Sequence, residues 1–73
     1  MIIKDFEFLI CSPCDHEKLT CEIYYKNEII AEISQETKEF ILEIYPSQKN
    51  KWWTIPLIQF QEALEFAKTY LQG

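Results

Sequence analysis

Apolar and polar residues alternate with a period of two along four stretches of this chain, and a helical period takes over near its end. Successive side chains of a strand point to opposite faces, so such alternation marks strands with one buried face. Phe6-Glu7-Phe8-Leu9-Ile10 is the first, with a start as early as Ile2 allowed, and a loop from Cys11 to Lys18 follows it. Leu19 to Tyr24 and Ile29 to Ser34 both carry apolar residues at odd positions and predict a hairpin. Keeping odd opposite odd requires a loop of odd length, so the expected connection is Tyr25-Lys26-Asn27, with Asn27 in the left-handed region. It pairs Tyr24 with Glu28, Glu22 with Ile30 and Thr20 with Glu32. Glu39 to Tyr45 resumes the alternation with even positions the more apolar, and Pro46 ends it. Pairing Ser34 with Glu39 then sets Glu32 beside Ile41, Ile30 beside Glu43 and Glu28 beside Tyr45.

After a loop over Ser47 to Lys51, the period changes. Leu57, Phe60, Ala63, Leu64, Ala67, Tyr70 and Leu71 recur at helical spacing and predict a helix over Leu57 to Leu71 with one apolar stripe. Pro56 suits a first helical turn, where its missing N–H would be unpaired in any case, and Thr54 is the nearest capping residue. Phe66, off the main stripe, is expected at the edge of the core. The expected architecture is α+β: one domain spanning residues 1–73, a four-stranded antiparallel β-meander with a single C-terminal helix packed on one face.

One helix covers one sheet face and leaves the other open. By parity the open face carries Glu7, Leu9 and Cys11, then Thr20, Glu22 and Tyr24, then Glu28, Ile30, Glu32 and Ser34, then Ile41, Glu43 and Tyr45. Every strand contributes a carboxylate, and isoleucine and tyrosine lie between them. The plain account of such a face is solvation, since antiparallel sheets commonly leave one side in water. The functional account is a docking surface: carboxylates steer a basic partner while tyrosines supply rigid contact area.

Composition sharpens this choice. The net charge is −5 and the sequence contains no arginine, whereas phosphate recognition leans on guanidinium forks and a basic surface. Direct nucleic-acid binding is therefore disfavoured and a basic protein partner favoured. No apolar run approaches a membrane span, and neither a signal segment nor a membrane role is expected, which points to the cytoplasm. Three cysteines, Cys11, Cys14 and Cys21, make an odd set that fits a reducing compartment.

Cys11-Ser12-Pro13-Cys14, with His16 nearby, is a CxxC that invites a zinc or redox reading. Two facts oppose it. Cys11 and Cys21 fall on opposite strand parities, and a redox thiol gains from a helix N-terminus where Cys11 ends a strand. No metal or cofactor is expected, and the isolation of His16 removes the usual base for a catalytic nucleophile. Lys49-Asn50-Lys51-Trp52-Trp53 mixes basic and aromatic character; at least one tryptophan is expected to fold back over the core, with Trp52 or Trp53 as a possible contact hot spot.

The stretch EIYYKNEIIAEISQE (22–36), followed by Pro56-Leu57 and FQEALEFAK (60–68), resembles small bacterial immunity proteins of polymorphic toxin systems. The resemblance covers about half the chain. It departs at Lys26-Asn27, where a tighter Asp-Gly turn is typical of the family, and at Ile58, where a capping Asp is expected. It implies a binding protein that neutralises a cognate toxin, often a nuclease, with no catalytic residues to carry over. The favoured reading is a non-enzymatic inhibitor, acting as a monomer or weak homodimer through its acidic open face. An acidic phage-type inhibitor or adaptor subunit is the alternative, and a small metal or redox protein built on Cys11 and Cys14 ranks third.

Overall fold

The computed structural model describes residues 3–12 and 18–72. Its elements are β1 (Phe6–Cys11), β2 (Thr20–Tyr25), β3 (Glu28–Ser34), β4 (Ile41–Ile44) and α1 (Leu57–Gln72). The strands form one antiparallel sheet in the order β1-β2-β3-β4, so β2 and β3 are the inner strands. The α+β meander with its C-terminal helix is the architecture that the alternation predicts.

The registers differ from expectation in two places. β2 and β3 are joined through two residues, Lys26 and Asn27, both at positive φ (50° and 67°). Two-residue turns of this hand match the twist of the flanking strands. Lys26 carries the cost, since a residue without a short polar side chain loses roughly 1–2 kcal/mol in the left-handed region. The even loop pairs Tyr25 with Glu28 and Tyr24 with Ile29, odd against even. A bulge then restores the parity: Ile30 is the extra residue, and from Ile23 opposite Ala31 onward odd faces odd again. The three-residue loop expected from the sequence is thus replaced by a two-residue turn and one inserted residue.

Between β3 and β4 the pairing slides by two positions. Ser34 lies opposite Ile41, Glu32 opposite Glu43 and Ala31 opposite Ile44. The Thr37 hydroxyl folds the longer connection, donating to the Glu39 carbonyl at 2.7 Å and accepting its N–H at 3.3 Å. A slip of two changes neighbours without changing faces.

The core gathers Phe6, Cys21, Ile23, Tyr25, Ile30, Ala31 and Ile33 beneath Ala63, Ala67 and Leu71 of α1. Two alanines on the buried stripe let the helix approach the sheet closely. The Phe60 ring lies 6.4 Å from Phe6 and Phe66 lies 4.7 Å from Phe8, so α1 sits over β1 and β2. Phe66 takes its expected place at the core edge. Leu57 and Tyr70, expected in the stripe, are exposed. Pro56 stands just before the helix rather than within it, its carbonyl accepting the Phe60 N–H at 3.0 Å.

A helix is about 10 Å wide, while four strands spaced about 4.8 Å apart span more than that. One helix therefore leaves part of the sheet bare on its own side. Leu42 remains 41% exposed and Ile44 57%, although both share the face of core residues Ile33 and Ala31.

Candidate functional site

Cross-strand pairing assembles a row of carboxylates on the face away from α1. Leu9 faces Glu22, Glu22 faces Glu32, and Glu32 faces Glu43, so three glutamates stand abreast on adjacent strands. The expected register placed Ile30 between Glu22 and Glu43. Bulge and slip together substitute Glu32, concentrating charge that the unbulged register spreads out. Directly opposed side chains have Cβ atoms about 5 Å apart, and like charges so placed are destabilising.

Two tyrosines temper the row. Tyr24 donates its hydroxyl proton to Glu22 Oε1 at 2.9 Å, and Tyr45 donates to Glu32 Oε1 at 2.7 Å. These bonds hold the phenols protonated. The bond to Glu22, helped by partial burial, raises the Tyr24 pKa; the bond to Glu32, with burial and the charges of Glu32, Glu43 and Glu22, pushes Tyr45 up to about 12. Among the described residues no lysine forms an ion pair with Glu22, Glu32 or Glu43. The row is thus oriented by hydroxyl donors but not neutralised.

The rest of the face is less uniform than expected. Glu7, Tyr24 and Ile29 form the next row on one side. Ile29 faces outward there, while Ile30, expected on the open face, is buried in the core by the bulge at 1% exposure. On the other side Cys11 faces Thr20 and Ser34 faces Ile41, yet Thr20 and Ser34 are buried. There Lys18 N–H donates to the Glu36 carboxylate at 2.8 Å and Gln35 Nε2 to the Leu19 carbonyl at 3.1 Å, drawing two connecting segments together. The exposed part of the face is therefore centred on the glutamate row.

No protein-family model, curated protein or solved structure matches this chain. What the molecule offers a partner must be read from its own surface.

Glu28, expected on the open face, pairs instead with Tyr25, whose ring packs at 4.8 Å on Phe6. Its carboxylate accepts the Gln48 N–H. With Lys26, Lys49, Lys51 and Trp52 it lines a second feature, a cavity of about 630 Å³. Trp53 is half-buried, its indole N–H donating to the Tyr45 carbonyl at 2.6 Å, whereas Trp52 is 69% exposed. One tryptophan folds back as expected, and Trp52 alone is left free as an aromatic contact. Lys26 joins this rim through the hairpin turn, a neighbourhood that linear spacing could not disclose. Its ammonium stands 5.5 Å from the Tyr25 ring centroid.

The cysteines fall on the parities expected of them. Cys21 is fully buried, and desolvation pushes its thiol to about 11; partial burial and the nearby Glu22 and Glu32 charges raise the Cys11 pKa as well. A redox-active thiol gains from the opposite shift. Cys14 and His16 lie outside the described residues. Among the described residues no three His, Cys, Asp or Glu side chains converge on a point that could hold a metal ion, and no helix is long and apolar enough to cross a membrane.

Proposed function

We propose that this chain is a non-catalytic inhibitory binding protein, an immunity protein that neutralises a basic bacterial toxin such as a nuclease. The observation carrying the proposal is the row of Glu22, Glu32 and Glu43, three carboxylates side by side with two held in place by tyrosine hydroxyls. A solvated face needs no such concentration, and its mutual repulsion is relieved by a cationic surface. Preorganised carboxylates fix the register of a docked lysine or arginine cluster and speed encounter. Leu9 and Ile41, both exposed on this face, provide apolar contact beside the charge. A nuclease's nucleic-acid groove has the required basic character, and covering it blocks the enzyme without chemistry.

Capture from the bacterial host, run with the native chain and with a Glu22→Lys, Glu32→Lys, Glu43→Lys variant, tests the proposal. A basic protein is expected on the native chain only, with its activity blocked when bound and its retention weakening as salt is raised. Equal capture by a triple variant that retains its circular dichroism spectrum would sink the idea.

A further inference from the structure

β4 is an edge strand with an unusual composition. The strand itself, Ile41-Leu42-Glu43-Ile44 after Phe40, carries one charge and no lysine, its charges and proline lying just outside it at Lys38, Glu39 and Pro46, whereas proteins commonly guard such edges within the strand or with a covering element. The direction of its free backbone groups follows from its ladder. Tyr45 N–H donates to the Ile30 carbonyl at 2.8 Å, and antiparallel bonds alternate between successive residues. Glu43 and Ile41 therefore bond inward to β3, while Leu42 and Ile44 direct their N–H and C=O groups outward. The exposed Leu42 side chain also lines, with Ile33, Phe40 and Leu64, the apolar floor of a groove of about 270 Å³ beside α1, whose helix side carries Gln61, Glu65 and Lys68.

We propose that β4 pairs antiparallel with β4 of a second copy, about a two-fold axis at Leu42, joining two four-stranded sheets into one of eight strands. The sequence of the edge selects both partner and register. Centred on Leu42, the outward-bonding residues meet one another: Leu42 faces Leu42 of the partner subunit, and Phe40 faces Ile44 of the partner subunit, all on the side of α1. On the other face Ile41 meets Glu43 of the partner subunit. Moving the axis to Glu43 would set the two Glu43 side chains directly opposite, and moving it to Ile41 would set Glu39 against Glu43. The axis at Leu42 keeps carboxylate from facing carboxylate, and it gives the apolar edge an identical, self-complementary mate.

The contact is one short ladder and a few side chains, smaller than a standard interface of about 800 Å² per partner, so the dimer forms in the micromolar range or weaker. Because each copy is acidic, self-association strengthens with salt, opposite to the binding of a basic partner. The two proposals therefore fail separately.

Sedimentation velocity from about 1 μM to about 1 mM, at low and high salt, measures the dimer. Ile44→Lys is expected to raise its dissociation constant roughly tenfold, since two-fold symmetry counts each change twice. The monomer should tolerate this change, because Ile44 is already exposed. Ile41→Lys places an ammonium opposite Glu43 of the partner subunit and is expected to tighten the dimer. Hydrogen exchange on the native chain gives a reading free of variants: the Leu42 and Ile44 amides gain protection as concentration rises. A chain monomeric throughout the range, a dimer indifferent to Ile44→Lys, or unprotected Leu42 and Ile44 amides in a dimer overturns the proposal. Weakening by Ile41→Lys overturns the register.

Discussion

At the scale of single residues, Tyr45 is the side chain whose role is hardest to read from sequence. Linear alternation puts it on the open face but gives it Glu28 as a neighbour. The two-residue slip of β4 brings its hydroxyl to Glu32 instead, and the Thr37 turn that produces the slip is too local and too polar to register in a hydrophobic pattern. The consequence is a titration. The folded-state pKa of about 12 stands above the ordinary 10.0, so between these values the unfolded chain releases its proton first. Stability from this contact is complete below about pH 10 and is lost as pH rises toward about 12. Thermal melts of the native chain and Tyr45→Phe should differ most below pH 10 and converge at higher pH. Parallel curves across that range would show that the hydroxyl does not bond Glu32. Absorbance titration of tyrosinate supplies a second reading, in which Tyr45→Phe removes a phenol that titrates at about 12.

At the scale of elements, the strands and helix were legible because burial imposes their periods, whereas the joins were not. Parity required odd to face odd across β2 and β3, and that requirement holds wherever the faces are buried or exposed as a set. It can be met by an odd loop or by an even loop plus a bulge, and periodicity cannot distinguish them. Ile30 decides between the two. In an odd-loop hairpin it would lie on the open face between Glu22 and Glu43; in the bulged one it is a core residue and Ile29 faces out. Truncating a buried isoleucine costs about 2–5 kcal/mol, a large share of the roughly 4–11 kcal/mol available to a domain of this size. Ile30→Ala should therefore shift the urea midpoint strongly, while Ile29→Ala should cost about 1 kcal/mol or less. Similar small losses from both would restore the unbulged register. The helix seam departs from its periodic stripe at the ends, where Leu57 and Tyr70 are exposed. Ala63, Ala67 and Leu71 define the true stripe, and Phe66 closes it against Phe8, because α1 sits over β1 and β2 rather than over the middle of the sheet.

At the scale of the whole molecule, charge and cover are unevenly distributed, and both asymmetries point outward. The helix protects β1 and β2 and leaves β4 bare, while the glutamate row crosses β2, β3 and β4 on the opposite side. That an acidic face exists was visible from composition and alternation; that its glutamates align was not, since alignment depends on the bulge and slip together. A row of like charges carries a stability cost that binding would recover, and this links fold to function in one measurement. Glu32 is the centre of the row, with a carboxylate on either side. Glu32→Gln keeps an oxygen acceptor for the Tyr45 hydroxyl and removes the charge. It should stabilise the free protein by a few tenths to about 1 kcal/mol at low salt, and the advantage should shrink as salt screens the native row. If the proposed docking of a basic partner holds, the same substitution should weaken its capture, because it removes the central charge of the row. Gain of stability with loss of binding is the signature of a site whose geometry is held for a ligand rather than for the fold. If Glu32→Gln instead destabilises the chain and leaves capture unchanged, the row is a structural feature of the sheet and the docking surface lies elsewhere, with the Trp52 cavity and its three lysines the next surface to test.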